Sequence, residues 1–182
     1  MPMFLATFLA VFAASLGGRE AVRVARLSAA LGADLPLFLA VAIAAIAGAA
    51  MAAFLGTGLT ELLTERSANW LTAAALAITG AEVLFLRAGP APREPTRSLF
   101  AITVVLLAGV VAEAAGFMVL AFAASSRQPI FVGAGGALGA LFALGGAALA
   151  GTDWQKLPLR AVSWIAGGGL MFGAVVIAMR NL

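Results

Sequence analysis

The chain reads as an all-α, polytopic membrane protein of six transmembrane helices, arranged as two inverted repeats of three. Three observations predict this: an apolar composition, a series of long charge-free stretches, and an internal match offset by about 95 residues. Of 182 residues, 63% are hydrophobic and only 10% charged. Soluble domains average roughly 45–50% and about 25%, so a water-soluble fold could not hide this much apolar surface. The mean hydropathy of +1.09 points the same way.

A membrane-crossing helix needs about 20 mostly apolar residues. Leu35 to Thr60 runs 26 residues without a charge, Gln128 to Thr152 runs 25, and Ala161 to Met179 runs 19. Asn69 to Leu86 is interrupted only by Glu82, and Ser98 to Ser126 only by Glu113. The first segment, Met1 to Gly18, is apolar but is followed at once by Arg19, Glu20, Arg23 and Arg26, and reads as the start of one long, broken helix. It has no basic residue ahead of its apolar run, which argues against a cleaved leader.

Cysteine and histidine are both absent. That removes disulfides, thiolate metal sites and the commonest general base. Any chemistry must rest on carboxylates, arginines, hydroxyls and backbone, and the expected class is a non-enzyme without a resident cofactor. The net charge of +3 comes from basic residues dispersed between apolar spans. This excludes a nucleic-acid face and points to topology, because cytoplasmic loops carry excess Lys and Arg.

Residues 89–97, rich in proline, form the expected central linker between a first repeat at 1–88 and a second at 98–182. Placing that linker in the cytoplasm puts Arg87, Arg93, Arg97, Lys156 and Arg160 inside and Arg66, Arg127 and Arg180 outside. Both termini are then expected outside the cytoplasm of a multi-pass cell-membrane protein, with the lipid bilayer as its constant partner.

The internal match pairs Gly56-Thr57 with Gly151-Thr152, Trp70 with Trp164, Gly80 with Gly173, and Arg87 with Arg180. Three spans per half force the second copy to run inverted, a transporter architecture with its site near the midplane. Glycines 133, 135, 136, 139, 145 and 146, and then 167, 168, 169 and 173, are expected to let helices approach closely.

Ionisable residues within apolar spans mark function, since burying one is costly unless it is paired or faces water. Glu20 and Glu113 sit deep in the first and fourth spans, at nearly equivalent places in the two halves. Glu82 is expected at the interface. Arg19, Arg23 and Arg26 share one helical face. That stripe would repel a cation, neutralise the acids as buried ion pairs, attract an anionic solute, or snorkel to the surface.

The stretch "SLGGREAVRVARLSAALG" resembles the first signature of the Gdt-type family, the transmembrane protein 165 family of calcium or manganese to proton antiporters, with its pattern E-x-G-D-[KR]-[TS]-Q. Gly17 and Arg19 keep the glycine and basic positions. Ser15 replaces the glutamate, Gly18 the aspartate, Glu20 the hydroxyl residue and Ala21 the glutamine. In "VVAEAAGFMVLAFAA", Val110, Ala112 and Ala114 depart from the second signature, while Glu113 keeps an acid at the aspartate position. The resemblance implies that Glu20 and Glu113, with Ser15, Gly17 and Arg19 around them, bind a small cation, Ca2+ or Mn2+, and exchange it for protons. A carrier of another small solute, or a structural or regulatory membrane protein of the same fold, are the alternatives.

Overall fold

The computed structural model describes residues 2–86, 89 and 98–182. Among them lie eight α-helices, one 3-10 turn and no strand. They are α1 (Pro2–Gly17), α2 (Arg19–Leu31), α3 (Leu35–Thr60), α4 (Glu65–Phe85), α5 (Leu99–Ala112), α6 (Ala114–Ser126), α7 (Pro129–Ala150), the 3-10 turn Gly151–Lys156, and α8 (Leu159–Arg180). The central linker expected at 89–97 lies, apart from Gly89, outside the described residues, as does Arg87 of the repeat match.

Local chemistry explains the helix boundaries. Asp34 caps α3 by accepting the Leu37 N–H (3.1 Å), with Pro36 in the first turn where no donor is needed. Thr64 caps α4 through the Ser67 N–H (3.2 Å). Helix α2 stops at Gly32, whose φ of 98° suits a residue without Cβ, and α7 stops at Gly151 with φ 48°.

Four helical segments are long and apolar enough to cross a membrane alone: α3, α4, α7 with its 3-10 extension, and α8. Two more spans pass only as pairs, α1 with α2 and α5 with α6, each bent by 60°. The protein is therefore a membrane-embedded helical bundle of four to six spans. Its outer surface agrees: Phe54, Ile165 and Phe172 are 76%, 78% and 70% exposed, which water would penalise and lipid does not. A break in the first span was legible in advance. The second, at Glu113, was not.

In the bundle, α1 lies along α7, α3 packs on α5, α6 and α7, and α4 packs on α8 and α6. Close approach depends on a few glycines. A Cβ on Gly139 would stand 2.7 Å from the Phe8 carbonyl oxygen of α1, and one on Gly80 would stand 2.8 Å from that of Gly167. The expectation that all the glycines of α7 and α8 serve packing is corrected: Gly145, Gly146, Gly168 and Gly169 have nothing within 4 Å of an added Cβ. The matched glycines Gly56 and Gly151 sit in different local structure. Gly56 is inside α3 against α6, whereas Gly151 follows the end of α7.

Candidate functional site

The site forms where the two bent pairs break. One residue at each break leaves the helical conformation, Gly18 (φ −76°, ψ 163°) and Glu113 (φ −73°, ψ 147°). Each break exposes the N–H groups of a new helix start, which need acceptors inside an apolar bundle. Carboxylates from elsewhere in the chain supply them.

Glu113 does not cap its own helix α6. Its carboxylate crosses to α2, where Oε1 accepts the Glu20 N–H over 3.0 Å. A Cβ at position 18 would stand 3.0 Å from that same oxygen, so glycine there gives the acid room to approach. The start of α6 is capped by α4 instead: the Ala114 N–H donates to Glu82 Oε2 over 2.8 Å. The other oxygen of Glu82 forms an ion pair with Arg19. Glu82 thus joins both broken helices. Its side chain is only 16% exposed. The sequence marks Glu82 as the one charged residue in the span Asn69 to Leu86, but not that it joins the two breaks.

The Glu20 carboxylate has a different partner from its backbone. Oε1 pairs with Arg23 Nη1 at 2.7 Å, while Oε2 is buried without a partner among the described residues. The carboxylate lies against α5, where a Cβ on Gly109 would meet Oε1 at 2.7 Å. Ser15 is buried, and its carbonyl accepts the Gly18 N–H over 3.1 Å. Ser15 and Glu113 together line a cavity of about 20 Å³ with Gly48 and Gly116, room for about one water-sized species. Gly17 packs against α4, where a Cβ would approach Val83 Cγ1 to 2.7 Å. Thr79, which sequence reasoning passed over, is 1% exposed, and its hydroxyl lies 2.9 Å from the Ala114 carbonyl oxygen.

The structure therefore brings Glu20, Glu113, Ser15, Gly17 and Arg19 into one region and adds Glu82 and Arg23. Glu20 and Glu113 meet through the backbone of Glu20, not carboxylate to carboxylate. Among the described residues, no group of three or more carboxylates is arranged to hold a metal ion. What the fold and site define is a membrane-embedded helical protein in which two broken helices meet at a cluster of largely buried carboxylates and part-exposed arginines. No protein-family model, curated protein or solved structure matches the chain.

Proposed function

We propose that the protein is a secondary transporter built of two inverted three-helix repeats, a divergent relative of the Gdt-type family that exchanges a small cation for protons at Glu113 and Glu20. The observation that carries this reading is the contact between the halves: Glu113, at the break of the second, sits on the opened end of α2 in the first. Broken helices whose ends face a shared centre are how transporters expose backbone charge without exposing it to lipid.

The spacing of helix starts supports the repeat. Arg19 and Ala114 begin the second half-helices 95 residues apart, while Leu35 and Pro129, and Glu65 and Leu159, begin the following spans 94 apart. Trp70 and Trp164 each stand sixth in their helices. The packing is reciprocal as well. The first bent pair contacts α7 and α8, the second contacts α3 and α4, and the remaining spans pair as α3 with α7 and α4 with α8.

Three carboxylates, Glu20, Glu82 and Glu113, face two arginines, Arg19 and Arg23. With all ionised, one negative charge is left over for a proton to balance. A divalent ion, Ca2+ or Mn2+, requires more oxygen ligands, and Arg23 is the group placed to release them. Its side chain is 41% exposed, so it can leave Glu20 for the surface. Glu20, Glu113 and Ser15 then supply side-chain oxygens at the break.

Flux decides the matter. Purified protein in liposomes, loaded with a calcium- or manganese-sensitive dye and given a pH gradient, should show cation movement that Glu113→Gln abolishes. A second reading, a static bridge that fixes helix register, draws on the Arg19–Glu82 pair. It predicts no flux in the parent protein and a large loss of thermal stability in Glu113→Gln.

A further inference from the structure

We propose that the cleft between α2, the end of α4 and the start of α8 binds the phosphate headgroup of an anionic phospholipid. The cleft has a volume of about 630 Å³ and is lined by Arg19, Arg26 and Arg160, with no acidic side chain among the described residues of its wall. Glu82 compensates Arg19 from behind that wall. The other two arginines keep their charge. Among the described residues, Arg26 Nη1 donates to the Gly89 carbonyl oxygen (2.5 Å), and neither Arg26 nor Arg160 has an acidic partner.

Arg160 also stands in the first turn of α8, where the partial positive charge of the helix end adds to its own. Two cations without an acidic partner among the described residues select an anion. Phosphate oxygens suit guanidinium donors, which bind them in pairs.

The rim identifies the anion as part of a lipid. Phe85, Leu86 and Trp164 line the cleft and are 72%, 48% and 62% exposed. They lie where α4 ends and α8 begins, the level at which an apolar helix leaves the hydrocarbon. Tryptophan favours that boundary. A free phosphate would satisfy the arginines and leave this apolar wall bare, whereas a phospholipid covers both with headgroup and acyl chain. Basic pockets between membrane helices are known to take such headgroups.

The test uses the full chain purified in detergent, with lipid retention read by native mass spectrometry and thermal unfolding read in parallel. Phosphatidylglycerol should be retained and should raise the melting temperature, and phosphatidylcholine should do neither. Arg26→Gln with Arg160→Gln should weaken retention roughly 30-fold, at roughly fivefold per arginine. Arg26→Lys with Arg160→Lys keeps the charge but loses the paired donors, so its retention should fall between that of the parent and that of the Gln variant, which separates lost charge from lost fold. Arg127→Gln with Arg180→Gln, at other helix ends, should leave retention unchanged. Equal retention of the two lipids, an unaffected Arg26/Arg160 variant, or an equal loss in the Arg127/Arg180 variant would overturn the proposal. So would displacement of the lipid by millimolar inorganic phosphate, which would mark a small-anion site instead.

Discussion

Glu113 accepts the backbone N–H of Glu20 at 3.0 Å, so a carboxylate from one bent span caps the helix that begins inside the other. Removing the acceptor and removing the charge should therefore have different effects. Glu113→Ala leaves a buried N–H without a partner and should cost about 1–3 kcal/mol. Glu113→Gln keeps an amide oxygen in the same place and should cost under about 1 kcal/mol, while cation flux is lost. Chemical unfolding in detergent micelles orders the two variants. If Gln proves as damaging as Ala, the charge and not the cap holds α2 in place.

Much of this arrangement was legible in the sequence. Spans α3, α7 and α8 are charge-free runs, and hydrocarbon thickness alone turns such runs into helices. The repeat offset of 95 led to the expectation that Glu20 and Glu113 hold nearly equivalent places, and the helix starts at Arg19 and Ala114 stand the same distance apart. The bend at Glu113 was not legible, because Ala112, Glu113 and Ala114 are all tolerated in helices. Only the acceptor on Glu82, 32 residues earlier in the chain, satisfies the N–H that the break frees. The bridging role of Glu82 was not legible for the same reason: its partners Arg19 and Ala114 are set by tertiary packing, which spacing along one helix does not reveal.

Glycine substitutions should separate contact from open surface. Gly80→Ala places a methyl 2.8 Å from the Gly167 carbonyl oxygen. Backbone cannot yield as a side-chain tip does, and overpacking of this kind costs about 1–3 kcal/mol. Gly168→Ala meets nothing within 4 Å and removes a poor helix former, so it should be neutral or stabilise by up to about 1 kcal/mol. Melting temperatures of the two variants should move in opposite directions or differ by several degrees.

Orientation can be read by labelling, because the chain has no native cysteine. With the central basic segment in the cytoplasm, Ser126→Cys should react with a membrane-impermeant maleimide added to intact cells. Ala91→Cys should react only after permeabilisation. Labelling of position 91 from outside would reverse the orientation, and with it the leaflet that the arginine-lined cleft faces.

Glu82 joins the two breaks, and a double-mutant cycle with Arg19 measures how strongly. Its carboxylate pairs with Arg19 of α2 through one oxygen and accepts the Ala114 N–H of α6 through the other. Glu82→Gln keeps an acceptor for Ala114 and removes the ion pair, and Arg19→Gln removes the pair from the other side. A fully buried pair broken on one side costs about 3–5 kcal/mol. Arg19 is 35% exposed, so water replaces part of the loss and each single variant should cost about 1–3 kcal/mol. The double variant should be less destabilised than the sum of the singles by about 1–2 kcal/mol, since the second change removes a partner already lost. Additivity within about 0.5 kcal/mol would show that the pair contributes no coupling, leaving Glu82 as a cap for α6 alone. The same variants bear on transport. If Glu82 only holds the broken helices in register, Glu82→Gln should slow cation flux without abolishing it. Complete loss equal to that of Glu113→Gln would make Glu82 a carrier acid in its own right.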